Sequence, residues 1–218
     1  MGKRIPFLLF LLLIPSLFLN FYFARQLRTT TEGIQVLGII DGDTLVLDGK
    51  TRLRLRSIDA PELDFCGGQE AKEVLENLVE GKKVVVKEQI IDTFGRPMGL
   101  VYVDGVLVNN EVLKTGWAKY HSDTTSAKDL LKETYDQAKE ASLGIFSPEC
   151  HQKVNPDNPK CNLKGNYDAD SNRNIYYFPG CAQYEFTIVE KDEGEKWFCS
   201  EKEALAAGYL RSKTCPQK

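Results

Sequence analysis

Three acidic residues, Asp43, Asp59 and Glu62, flank neighbouring runs of strand-like sequence and the turn that follows them. Carboxylate oxygens are hard ligands that suit Ca²⁺ or Mg²⁺ better than a metal that prefers thiolate or imidazole. Two arginines, Arg54 and Arg96, can donate forked N–H groups to phosphate oxygens. Phosphodiester hydrolysis requires a metal, a group that orients water and cations for the developing charge. The five residues together could supply that chemistry.

Taken singly, the same residues have simpler interpretations. The run Asp41-Gly42-Asp43-Thr44 is typical of a hairpin turn. Arg52, Arg54 and Arg56 alternate along one strand, so a solvated strand face explains them about as well as a phosphate site does. The prediction therefore depends on the combination of residues and on the elements that bring them together.

Short β-branched runs separated by Asp-Gly turns begin at Ile34 and predict three strands. A helix is predicted over residues 70–80 because its apolar residues recur at helical spacing and Gly81 follows. Two further strands and two helices are predicted after it, in the runs KKVVVKEQII, GLVYVDGVLV, 110–116 and 127–143. This order suits a small barrel, closed or partly closed, of the α+β class.

Four segments in the same order resemble the staphylococcal nuclease family: IIDGDT (39–44), RLRLRSIDAPE (52–62), DTFGRPMGLVYVDG (92–105) and VNNEVLKTGWA (108–118). The resemblance covers residues 34–150. It implies a five-stranded OB-fold barrel with three helices. It also implies a Ca²⁺-dependent nuclease that cleaves single-stranded or duplex DNA and RNA and leaves 3′-phosphate products.

The resemblance assigns roles to individual positions. Asp43 and Asp59 match the calcium-binding carboxylates, and the backbone carbonyl of Ala60 matches a further ligand. Glu62 matches the glutamate proposed as the general base, although a glutamate can also hold a water molecule without taking its proton.

Arg54 and Arg96 match the two arginines that bind the scissile phosphate and stabilise the transition state. The sequence departs from the family at Thr93-Phe94, where the family has a Lys-Tyr pair, and the base-stacking tyrosine beyond Tyr120 has no clear match. These departures concern substrate-end preference and affinity rather than the chemistry.

The first 28 residues are predicted to be a signal anchor. An uncharged apolar run, residues 5–24, follows Lys3 and Arg4 and approaches the length that spans a bilayer. We expect an uncleaved membrane anchor with the rest of the chain outside, and a cleaved signal peptide with a secreted product is the alternative.

Six cysteines in a chain routed for export predict disulfides. Exported members of the resembled family suggest a Cys66–Cys150 pair. The remaining four lie in a small Cys-rich module over residues 161–215, whose end, WFCSEKEALAAGYLRSKTC, resembles the metal-binding domain of Ada-type DNA-repair proteins. Ser212 stands where that domain has a zinc ligand. Two disulfides, in any of three pairings, are favoured over a four-thiolate zinc site because of the exported compartment and the cysteine spacing.

The formal net charge of −3 excludes a protein that holds nucleic acid by bulk positive charge. Binding must therefore depend on a local site. The alternative function is a surface module that binds nucleic acid or a cell-wall partner without cleaving it. We expect a monomer and infer no protein partner.

Overall fold

The computed structural model describes residues 33–168 and 171–216, so the predicted anchor over residues 1–28 lies outside the described residues. Residues 34–218 form one compact unit. In the described ranges, no helix combines the length and the apolar character needed to cross a membrane.

Five strands of the first part of this unit close into a barrel. The strands are β1 (Ile34–Ile39), β2 (Thr44–Leu47), β3 (Thr51–Leu55), β5 (Lys83–Ile91) and β6 (Pro97–Val103). Their order around the barrel is β3, β2, β1, β5 and β6. A parallel pairing of Arg54 with Met98 and of Leu55 with Gly99 joins β6 back to β3. Short strands β4 (Ile58–Asp59), β7 (Val106–Leu107) and β8 (Lys119–Tyr120) flank the barrel, with β4 paired to β8. The predicted five-stranded OB-type barrel is confirmed.

Three helices pack on the barrel, as predicted: α1 (Gly68–Val79), α2 (Val108–Lys114) and α3 (Lys128–Glu140). Alternation along β2 and β3 directs Leu45, Leu47, Leu53 and Leu55 into the core, where they are almost completely buried. Leu75 of α1 joins the same core, because helical periodicity places it on the buried face. The strands and helices therefore share one apolar interior.

The C-terminal part has a smaller core and a four-stranded sheet in the order β13-β10-β11-β14. Helix α4 (Glu201–Ala206) packs beside it, and Ser200 caps that helix by accepting a hydrogen bond from the backbone N–H of Glu203. The strands are β9 (His151–Gln152), β10 (Leu163–Asp168), β11 (Arg173–Tyr177), β12 (Val189–Glu190), β13 (Lys196–Phe198) and β14 (Leu210–Arg211). Strand β12 pairs with β9, which directly follows the nuclease-like part.

All six cysteines lie in the described residues and form three disulfides. The predicted Cys66–Cys150 bond is present and closes a separation of 84 residues. Of the three pairings left open for the tail, the structure has Cys161–Cys199 and Cys181–Cys215. No thiolate therefore remains for a zinc site.

Candidate active site

The turn between β1 and β2 places Asp43 inside the protein, at 1% exposure. Its carboxylate accepts hydrogen bonds from the Thr44 hydroxyl at 2.8 Å and from the backbone N–H of Ala60 at 2.9 Å. A side chain at Gly42 would stand 2.4 Å from the Cβ of Ala71 and 2.7 Å from that of Ala60. The turn can therefore approach α1 only because residue 42 is glycine.

Arg54 joins the two predicted metal-binding carboxylates. The register of β2 with β3 sets Arg54 opposite Thr44, next to Asp43. One guanidinium nitrogen lies 2.6 Å from Asp43 Oδ1, and the other forms an ion pair with Asp59. The structure thus brings Asp43, Arg54 and Asp59 into one group.

Burial of the Asp43 carboxyl raises its pKa to about 7, although the Arg54 guanidinium and the Ala60 N–H oppose this. Because burial makes the charged form of this carboxylate costly, a nearby cation would stabilise that charged form. In the described residues, no three or more His, Cys, Asp or Glu side chains are grouped to hold a metal ion. Asp43 and Asp59 nevertheless offer the hard oxygen donors that a divalent cation takes, provided that backbone carbonyl and water oxygens complete the coordination. The donor chemistry fits Ca²⁺ on these terms, with the Ala60 carbonyl as the expected additional ligand.

Glu62 lies in a pocket of about 120 Å³ beside this group. Asp59, Ala60, Pro61 and Phe65, from the same stretch of chain, line this pocket with Glu62. The Glu62 carbonyl accepts the backbone N–H of Phe65 at 2.9 Å, so the chain turns immediately after it. Its side chain is exposed, which leaves it accessible to water and substrate.

Arg96 lies in the turn between β5 and β6. Its Nε donates to Asp92 Oδ2 at 2.7 Å, and its guanidinium stands over the exposed ring of Phe94 at 5.2 Å. Arg96 lies two residues before Met98, which pairs with Arg54 where the barrel closes. Arg96 thus lies directly before the strand that pairs with β3, but it does not line the pocket that contains Glu62.

Arg52 of β3 and Arg56, directly after that strand, do not join this group. Arg52 is exposed. Arg56 is buried and donates to the carbonyls of Glu88 and Thr124, both at 2.9 Å, and to the carboxylate of Asp123. The alternation in sequence could not separate these three environments.

The C-terminal part also reaches the pocket, which sequence reasoning missed. Asp192 and Glu193 line it, together with Lys119 of β8. The only signal is the charged run EKDEGEK at 190–196, which by itself is typical of a solvated loop. His151, which looks like an isolated surface residue in the sequence, is only 17% exposed and stands 3.4 Å from Asp192.

Known proteins match the barrel part of the sequence. The family described as "Staphylococcal nuclease homologue" matches residues 52–148. The chain is 39% identical over 108 residues to "Probable staphylococcal-like nuclease CAN1" of Oryza sativa subsp. japonica, which is 50% of this chain and 32% of that protein. It is 31% identical over 151 residues to an "Uncharacterized endonuclease" of Escherichia coli O157:H7, covering 67% of this chain and 91% of the relative. It is also 29% identical over 214 residues to "Endonuclease YhcR" of Bacillus subtilis (strain 168), covering 86% of this chain and 17% of the relative.

The chain thus combines a closed five-stranded barrel of the OB type with sequence similarity to proteins named as nucleases. It belongs to the family of staphylococcal nuclease homologues. It spans only about a third of the length of the plant relatives.

Proposed function

We propose that this protein is a Ca²⁺-dependent nuclease that hydrolyses DNA and RNA and leaves 3′-phosphate ends. The observation that carries the proposal is the bridging of buried Asp43 to Asp59 by one guanidinium, at the edge of the pocket that contains Glu62. Relatives named as nucleases and endonucleases support the same class of reaction.

Each residue has a defined task in this proposal. Asp43, Asp59 and the Ala60 carbonyl would hold the calcium ion, which polarises the scissile phosphate when bound. Glu62 orients the attacking water or takes its proton. Arg54 and Arg96 donate to the phosphate oxygens as negative charge develops on them. Cleavage of the P–O5′ bond leaves the phosphate on the 3′ side and a free 5′-hydroxyl.

Arg54 shares its two carboxylate partners with the cation. Since Asp43 and Asp59 occupy its N–H groups in this structure, competition for these carboxylates releases those donors for phosphate. Metal binding and phosphate binding are then coupled through one side chain.

The site of action proposed is outside the cytoplasm, with the chain membrane-anchored or secreted. The apolar N-terminal run and the three disulfides support this, because disulfides persist in oxidising compartments.

The test is hydrolysis of end-labelled single-stranded DNA by the full chain in Ca²⁺, in Mg²⁺ and in EDTA, beside Glu62→Gln and a matched Glu70→Gln control from the exposed start of α1. We expect cleavage in Ca²⁺ alone, 3′-phosphate ends, and a loss of about 10²–10⁴-fold in the Glu62 variant only. Binding that persists in EDTA without turnover in Ca²⁺ would overturn the proposal and favour the alternative binding module.

A further inference from the structure

Three carboxylates of the C-terminal part surround the Lys119 ammonium at the pocket. Glu193 lies 2.6 Å, Asp192 2.9 Å and Glu190 3.4 Å from Lys119 Nζ. We call Glu190, Asp192 and Glu193 the acidic wall. These residues come from β12 and the short 3₁₀ turn after it, beyond the residues that the family sequence matches.

The acidic wall is fixed to the loop that carries Glu62. The Lys191 carbonyl accepts the backbone N–H of Cys66 at 3.2 Å, and the Lys191 N–H donates to the Cys150 carbonyl at 2.9 Å. The segment is therefore bonded to both cysteines of the Cys66–Cys150 disulfide. Gly194 lies so close to the ring of Phe65 that a Cβ there would stand 2.5 Å from it. These contacts make the acidic wall a built part of the pocket.

The acidic wall carries negative charge at neutral pH. Burial alone would raise the pKa of Asp192, but His151 and Lys119 beside it hold that pKa below its usual value. Burial opposes the charge on Lys119, and the surrounding carboxylates outweigh it and raise the pKa of Lys119. Three carboxylates thus lie within 3.4 Å of one ammonium.

The charge is therefore distributed unevenly across the site. Arg54 lies on β3, and Arg96 lies in the turn directly before β6, the strand that pairs with β3. Asp192 and Glu193 of the acidic wall line the pocket together with Asp59 and Glu62. A phosphate chain that enters over the arginines meets negative charge if it continues towards the C-terminal part.

We propose that the acidic wall is a specificity-determining element that disfavours duplex nucleic acid and favours a single strand. A single strand can bend away from the carboxylates, whereas the second strand of a stiff duplex adds phosphates that cannot. This inference rests on the proposed nuclease function, and it concerns which nucleic acid the same pocket accepts.

The test is equilibrium binding of a labelled single-stranded oligonucleotide and the matching duplex, measured by fluorescence anisotropy in Ca²⁺. Three proteins are compared, and all carry Glu62→Gln to suppress turnover. One has no further change, one also carries Glu193→Gln, and one also carries Glu185→Gln. Glu193 is exposed, so the change removes charge without opening the core. Glu185→Gln is the control, since Glu185 is an exposed carboxylate of the same C-terminal part outside the pocket.

We expect Glu193→Gln to tighten duplex binding about three- to tenfold at ~50 mM salt, with a smaller effect on the single strand and little effect at ~500 mM salt. A ratio of duplex to single-strand affinity equal to that of the control, or a change that does not fade with salt, would overturn the inference. Cleavage by the otherwise unmodified chain is measured in parallel. Its absence refutes the nuclease function, whereas an unchanged binding ratio with cleavage intact refutes only the role of the acidic wall.

Discussion

Two arginines that lie two residues apart, one on β3 and one directly after it, have different contacts. Arg54 is partly exposed and joins Asp43 to Asp59 at the pocket. Arg56 is 7% exposed, and its guanidinium connects the end of β3 to Glu88 of β5 and to the loop that contains Asp123. A buried guanidinium with these partners stabilises the fold, and its loss would leave the carboxylate and two carbonyls without their donor.

We therefore predict that Arg56→Ala lowers the free energy of unfolding by about 2–4 kcal/mol, measured by urea denaturation. Arg52→Ala, on the exposed side of the same strand, is the control and should change it by less than about 0.5 kcal/mol. Equal effects of the two substitutions would show that the Arg56 contacts contribute nothing to stability.

The distinction between these arginines also shows what a sequence can predict at the residue scale. Their alternation predicts one strand, and the structure places Arg54 on β3 and Arg56 directly after its end. Their roles, however, depend on Asp59, Glu88 and Asp123, which only the folded chain brings within reach. The resemblance to a known family supplied the choice of Arg54.

At the scale of elements, the loop after Glu62 is held at both ends. Gly67 adopts a left-handed φ of +88°, which directs the chain into α1, and a Cβ there would stand 2.9 Å from the Trp117 ring. Cys66, directly before it, is bonded to Cys150. The disulfide therefore restrains the loop that carries the proposed general base.

We predict that replacing both Cys66 and Cys150 with serine lowers the free energy of unfolding by about 4 kcal/mol, because an 84-residue separation is no longer closed in the unfolded chain. The measurement is guanidinium denaturation of the oxidised proteins. Unfolding midpoints that coincide with those of the unmodified protein would contradict the assigned role of this bond.

Local elements were the most predictable part of the fold. The turn at Asp104 and Gly105, both with positive φ, has the residues that such a turn requires. The three predicted helices are present with ends shifted by a few residues, which is the usual uncertainty when capping and packing decide the boundary. The parallel pairing of β3 with β6 and the cysteine pairings of the tail join residues far apart in sequence, so no local pattern could specify them.

At the scale of the whole molecule, the chain is acidic, but the two arginines that the proposed reaction needs lie near one another in the barrel part. The net charge is −3, yet Arg54 lies between two carboxylates and Arg96 directly before the adjoining strand β6. The C-terminal part packs against the loop that carries Glu62 and adds the acidic wall to the pocket. Proposed catalysis and proposed substrate choice therefore come from different parts of one compact unit.

The central claim is that the Asp43–Arg54–Asp59 group beside Glu62 is a nuclease site. The most direct test compares Arg54→Ala with Arg52→Ala in cleavage of single-stranded DNA in Ca²⁺, with circular dichroism to verify that both are folded. We predict that kcat/KM falls by about 10²–10³-fold for Arg54→Ala and by less than about threefold for Arg52→Ala. Similar rates for the two folded variants would contradict the claim.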